Sequence, residues 1–431
     1  TRDLSIFHEG AFTLAGTNET GPKWRATLVV GNLVGNNAAA GFRNQSQIIP
    51  GFGYQEDNQD VYFQDFSVKF DTSVAGLAFN AEVGRLGYKV SPYIYQRIDN
   101  TSYFSNSRWD NGLYYFDGAV LGFNFGGAKL DVFGGKTSRR FTVNGTELNP
   151  LQTGPVFGPF AAGGLGGATL PIDRQLGLNL NVPLTTAGNL NLAYLWLDSN
   201  TSNAATGFAN RLNVFGGSAE YNIGRIKLEG GYSQTNLAYN TSTVLDDDNR
   251  AFYGKVSYNG DRFSLFGKYQ EVEANYLAPG DWGRLGVLRN PTNIRGFQVG
   301  GTLDVGSSLQ LRASGEFYEG KDNGYAATTA FAENTKINKF AIELGYRVNP
   351  NLGLTLGYED TRFENLFAPA GVLLTGDPKY RWTTFGVNYG LSDAAKLIVQ
   401  YQLSDHENEY QVSGGGRFKG GLLTTQLSIK F

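Results

Sequence analysis

Apolar and polar residues alternate along most of this chain, in runs of roughly ten residues that come in pairs. In "RIKLEGGYSQ", Ile226, Leu228, Gly230 and Tyr232 fall on one side and Lys227 and Glu229 on the other. "RFSLFGKYQ" groups Phe263, Leu265, Gly267 and Tyr269 opposite Lys268 and Gln270. "LQLRASGEFYE" sets Leu309, Leu311, Ala313 and Phe317 against Gln310, Arg312 and Glu316. A period of two is that of a strand with two different faces. Each run starts apolar at a turn and reaches an aromatic residue about seven positions on, as "LGLTLGYE" and "KLIVQYQL" do at Tyr358 and Tyr401.

Connections within a pair are short and turn-like: "TTAGN" at 185–189, "NIGR" at 222–225, "NGDR" at 259–262, "DVGSS" at 304–308, "VNPN" at 348–351 and "LSDAA" at 391–395. Their Gly and Asn residues supply the backbone freedom of tight hairpins. Connections between pairs are long and polar, at 240–249, 276–293, 320–336 and 364–379. The first part of the chain reads as strands near 3–14, 23–34, 60–70, 76–87, 115–125 and 128–137, with turns at 71–76 and 126–129. Long loops lie at 35–59, 88–112 and 138–171. Short turns at one end and long loops at the other are the asymmetry of an outer-membrane barrel. The fold class expected is therefore all-β. It is a single transmembrane antiparallel up-and-down barrel of about 16–20 strands, centred on about 18, with periplasmic turns and extracellular loops. It forms one domain over residues 1–431.

Composition sharpens this picture. Aromatics make up 14% of the chain and charged residues only 17%, while hydrophobic residues stop at 41%. That is too polar for a helical membrane protein, and no run approaches the roughly 18 apolar residues of a spanning helix. A net charge of -3 excludes a polybasic nucleic-acid binder. With no cysteine there is no disulfide framework and no thiolate metal site.

The polar strand faces would line a lumen. They carry Arg25, Lys69, Glu82, Asp131, Lys227, Glu229, Lys255, Lys268, Arg312, Glu316, Lys339, Glu343, Arg347, Glu359 and Lys396. Ionisable groups are expensive in a packed interior and natural in water, so these point to a wet channel of mixed charge. Many of them can also pair across the wall. The loops at 88–112 and 138–171 are the constriction candidates, the first for Arg97, Arg108 and Trp109 among four tyrosines, the second for its glycines. Asp246, Asp247 and Asp248 form an oxygen-rich loop without the calcium-loop spacing, so calcium is the only cofactor to consider. His8 and His406 have no metal-ligand spacing, and nothing marks either as the base of a hydrolase, so no enzyme is expected. The function these features imply is a general diffusion porin passing small hydrophilic solutes and ions, in contact with outer-membrane lipids.

The chain closes on "LLTTQLSIKF", with Leu423, Leu427, Ile429 and Phe431 on one face. Alternating apolar residues ending on an aromatic resemble the assembly signal of bacterial outer-membrane barrels, which implies the barrel assembly machinery as a partner. A barrel closes on itself because lipid leaves no edge satisfied, so this last strand is expected to pair with the first.

The hairpin stretches such as "SLQLRASGEFYEG" and the closing "TQLSIKF" resemble the barrel portion of S-layer-homology outer-membrane proteins, a family that includes SlpA of the Deinococcus–Thermus group and the OmpM porins. The resemblance implies a homotrimeric porin. It also implies an alternative role, an envelope scaffold tied to cell-wall polymer through an N-terminal tether domain. No such domain is expected within these residues, where "TRDLSIFHEG" reads directly as strand pattern.

Overall fold

The computed structural model describes residues 9–16, 21–31, 60–96, 111–137, 141–143, 146–148, 172–199, 209–239, 244–286, 288–323, 331–366, 377–409 and 416–431. One sheet carries nineteen strands of eight residues or more. They are β1 (Glu9–Gly16), β2 (Lys23–Gly31), β3 (Asp60–Val74), β4 (Leu77–Tyr88), β5 (Tyr114–Phe125), β6 (Ala128–Thr137) and β7 (Ile172–Thr185). There follow β8 (Gly188–Ser199), β9 (Ala209–Ile223), β10 (Ile226–Tyr239), β11 (Arg250–Asn259), β12 (Phe263–Val272) and β13 (Ile294–Val305). The series ends with β14 (Leu309–Gly320), β15 (Lys336–Asn349), β16 (Leu352–Glu364), β17 (Lys379–Ser392), β18 (Ala395–Glu409) and β19 (Gly416–Ile429). Each strand pairs antiparallel with the next, as in an up-and-down barrel. The six short turns between residues 185 and 395 fall where the pattern puts them. At the β9–β10 turn, Gly224 takes φ +59°, which a side chain would resist.

The wall curls far enough for its opposite sides to be bridged by short segments. Tyr93, in the link between β4 and β5, hydrogen-bonds Gln270 on β12. Arg284, in the link between β12 and β13, pairs with Glu359 on β16.

The outer face is an apolar band. Leu228, Leu265, Val299, Ile342, Leu356, Val387 and Leu427 all stand exposed on it. Tyr232, Phe297, Phe317, Phe340, Tyr358, Phe385 and Tyr401 are exposed with them toward the long-loop end. In water such a band would drive aggregation; in lipid it is the hydrocarbon-facing girdle with its aromatic ring.

The expected pairing of the last strand with the first meets a problem of parity. Antiparallel ladders in series leave β1 and β19 running in the same direction. Among the described residues no ladder joins them. Among the described residues the strand count is odd, because the first hairpin, β1–β2, turns at the short-turn end and leaves Glu9 at the long-loop end.

Candidate lumen and constriction

Alternation turns the other face inward, and it divides into two zones. Toward the short turns it is open and charged. Lys227 bridges Glu220 at 2.7 Å and Glu229 at 3.3 Å, and Lys255 reaches Glu229 at 3.0 Å. Arg312 pairs with Glu343 at 3.0 Å, and Lys339 with Glu316 at 2.9 Å and Glu359 at 4.0 Å. The charged groups thus form a belt across β9–β16 in which most neighbours have opposite sign. At the short-turn mouth a cavity of about 1040 Å³ is lined by Arg312, Glu343, Arg347 and Lys396 among others. A second cavity of about 250 Å³ shares Arg312 and Glu343 with it and is also lined by Glu359, Trp382 and Thr384.

The remaining lumen candidates lie further round the wall. Arg25 pairs with Asp65 at 3.2 Å. Lys69 stands opposite Glu82 across the β3–β4 ladder, and Glu82 accepts a bond from Ser67. Asp131 is buried and accepts hydrogen bonds from Tyr88 and Lys129.

Toward the long loops the inward face is apolar. Leu195, Leu197, Leu212, Val214, Phe116 and Phe133 point inward and are completely or almost completely buried. What covers them is chain folded back into the barrel from two links. Residues 89–96 enter from between β4 and β5, with Tyr93, Ile94 and Tyr95 buried. Residues 273–286 and 288–293 enter from between β12 and β13, burying Tyr276, Leu277, Ala278, Trp282, Leu285 and Leu288.

The two inserts lock together. Gln96 N–H donates to the carbonyl of Pro279 at 2.9 Å and Asp281 N–H to that of Pro92 at 2.7 Å. The Tyr276 hydroxyl donates to the carbonyl of Tyr93. Gly280 lies so close to Pro92 that a Cβ would come within 2.3 Å of its carbonyl oxygen. Each insert is also pinned to the wall. Tyr93 stacks on Tyr253 at 4.8 Å and its hydroxyl donates to Gln270 at 2.6 Å. Lys268 lies beneath that pair, 5.3 Å from one ring and 5.4 Å from the other, a distance at which a cation is held by the ring faces. Tyr95 donates to Gln175 on β7. Burial holds the phenols of Tyr93, Tyr95 and Tyr276 well above the usual tyrosine range.

The far end of the longer insert forms a latch. Arg284–Leu285 and Leu288–Arg289 make a tiny hairpin. Gly286 turns at φ +57°, and a Cβ there would meet Tyr380 at 2.7 Å. Arg284 makes two 2.6 Å bonds to the Glu359 carboxylate and one to the Gly286 carbonyl, and lies 4.8 Å over the Trp382 ring. Lys339 donates to the Arg284 carbonyl at 2.9 Å. Arg284 and Glu359 are both buried, so removing the carboxylate would leave the guanidinium a desolvated charge.

The placement differs from the sequence expectation in one main respect. The region 276–293, read as an ordinary extracellular loop, is the larger inward insert. Its signal was present as an apolar content, "YLAPGDWGRLGVL", that a solvated loop has no use for. Of the loop 88–112, residues 89–96 lie inside the barrel; Arg97, Arg108 and Trp109 lie outside the described residues. So does nearly all of 138–171, apart from the short Phe141–Val143 and Thr146–Leu148 ladder. At the acidic loop, the backbone carbonyls of Asp247 and Asp248 accept hydrogen bonds from Asn275. Among the described residues no three acidic or histidine side chains converge as a metal site. His406 is buried on β18 against Tyr380 and Trp382, in a packing role. Phe431 lies beyond the end of β19 and is fully exposed, with Leu423, Leu427 and Ile429 on the outer face.

No protein-family model matches the chain, and neither does any curated protein. Solved structures do. OccK3 (OpdO) of Pseudomonas aeruginosa superposes with a TM-score of 0.53 at 17% identity, over 92% of this chain and 93% of that one. OccK1 (OpdK) of the same organism gives 0.54 at 14% identity over 94% of both chains. OccK9 (OpdG) gives 0.52 at 14%, over 92% and 91%. These are outer-membrane β-barrel porins. The chain has the porin barrel fold. At such identities the likeness carries the fold alone, and the resemblance to S-layer-homology proteins gains nothing from it.

Proposed function

We propose that this chain is a channel of the bacterial outer membrane that passes small hydrophilic solutes and ions passively, through a lumen narrowed by its own inserts. The observation that carries this reading is the two-zone lumen. A charged, cavity-bearing lower half leads to inserts that are clamped to opposite walls. Belt charges that largely pair with each other give weak net selectivity, so size exclusion at the inserts sets what passes. That makes the pore narrower than the general diffusion pore expected from strand patterning. The outward apolar band with its aromatic ring supports the location in a membrane, and the porin fold supports the outer one.

The test is conductance in planar bilayers with the purified protein. Discrete single-channel steps, small for a barrel of this strand number, are expected. A correctly inserted barrel that passes no current would overturn the channel reading and favour the scaffold, in which a lumen filled by inserts is no handicap.

A further inference from the structure

Above the aromatic ring, the outer face of β16–β19 carries a cluster of charges that the lumen does not use. Asp360, Arg381, Asp405 and Lys419 stand opposite one another across the three ladders. Toward the long loops stand Arg362, Lys379 and Glu407, with Arg417 reaching Glu407 at 3.7 Å. The ion pairs run on without a gap. Arg362 meets Asp360 at 2.7 Å, Arg381 meets Glu407 at 3.0 Å, and Arg417 meets Asp405 at 2.6 Å.

The two signs are not equally presented. The side chain of Asp360 is 7% exposed and those of Asp405 and Glu407 are 30% exposed, whereas Arg362, Arg417 and Lys419 are 56%, 51% and 64% exposed. Arg362, Arg417 and Lys419 stand outward of the carboxylates, while Arg381, 28% exposed, lies level with them. With Lys336 and Glu364 facing each other beyond Arg362, six basic groups stand among four acidic ones, so the surface is net positive. Among the described residues the same arrangement recurs in smaller form on β7–β8, where Arg174 is 63% exposed over Asp198 at 24%. Arg295 and Glu319 are balanced one to one at 44% and 49%, and in the Arg85–Asp117 pair the acid is the more exposed partner. Immediately below the cluster lie Tyr358, Phe385, Tyr401, Leu403 and Leu423, exposed on the same face.

We propose that this cluster binds the phosphate-bearing headgroup of a membrane lipid, with the acyl chains on the apolar surface beneath. The inference rests on the barrel lying in a membrane. Charge complementarity selects an anion, and paired guanidinium forks suit phosphate oxygens. The continuous apolar strip selects a lipid over a free ion, because only a lipid uses both surfaces at once.

The test is native mass spectrometry of the full chain released from phosphatidylcholine vesicles doped with phosphatidic acid. The wild type should retain phosphatidic acid in preference; equal retention of the two lipids would overturn the proposal without any variant. Arg362→Gln, Arg417→Gln and Lys419→Gln together should weaken retention on the order of a hundred-fold, taking the surface attraction of each basic residue as about five-fold. Arg225→Gln with Arg262→Gln, at the opposite rim, should leave it unchanged. Undiminished retention in the triple variant would remove the site. Displacement by inorganic phosphate would assign it to a free anion, and a loss of multimers with lipid retention intact would assign the surface to contacts between copies; either result overturns the lipid. A wild type that prefers phosphatidic acid but does not conduct would fail the channel reading and leave this site standing.

Discussion

Glu359→Gln isolates the latch. The substitution keeps the side-chain shape and removes its charge. Lys339 keeps Glu316 at 2.9 Å, so the loss falls on Arg284, which makes two hydrogen bonds to the carboxylate. Removing one partner of a buried pair costs about 3–5 kcal/mol. Arg284 retains the Gly286 carbonyl and the Trp382 ring, and glutamine still offers one acceptor, so the cost falls to or below the lower end of that scale, about 2–3 kcal/mol. The cost falls on docking of the hairpin around Gly286, because the barrel ladders on either side are untouched. At tenfold for each 1.4 kcal/mol, the docked population should fall roughly 30- to 150-fold relative to the undocked one. In single-channel recordings, time spent at a higher conductance level should rise, while the protein stays heat-resistant in gels. Arg284→Gln combined with Glu359→Gln should cost less than the sum of the two singles, since neither charge is then left alone. A current histogram identical to wild type for Glu359→Gln, in a correctly inserted protein, would refute the latch.

Three further outcomes follow from the same geometry. Leu228→Arg, on the outer face, should cost about 2–4 kcal/mol if it lies near mid-membrane, whereas the inward Lys227→Arg should be close to neutral in refolding titrations; equal costs would remove the lipid-facing assignment. Phe431→Asp should lower the yield of inserted barrel more than a charge at an internal strand end, and an undiminished yield would count against the assembly signal. In alkaline titration followed by phenolate absorbance, Tyr93, Tyr95 and Tyr276 should ionise after the exposed tyrosines, because burial raises them. The sign follows. Neutral buried phenols stabilise the inserts fully below the ordinary tyrosine value of about 10, and that contribution is lost as pH rises beyond it. Conductance should therefore rise only in strongly alkaline buffer, and a change centred below neutral pH would contradict this cause.

Strand positions, hairpin turns, the outward apolar band and the inward charges of β9–β16 were all legible in the sequence. The reason is that strand period and turn chemistry are local. Ile226, Leu228 and Tyr232 must share a face whatever the rest of the chain does, and Gly224 marks its own turn. The odd parity of the wall was less legible, because it depends on how the first hairpin enters the sheet. Of the constriction, the loop 88–112 was marked as a candidate and its residues 89–96 lie inside the barrel, but the larger insert and the walls that both meet were not legible. Its defining contact, Tyr93 to Gln270, spans 177 residues, and the latch from Arg284 to Glu359 spans 75. Nothing within either loop sequence states which wall will face it. The same apolar loop could have covered a rim or a neighbour. It folds inward because closing the wall brings Leu195, Leu212 and Val214 into the lumen with no water-compatible surface, and only chain from the loops is within reach to bury them.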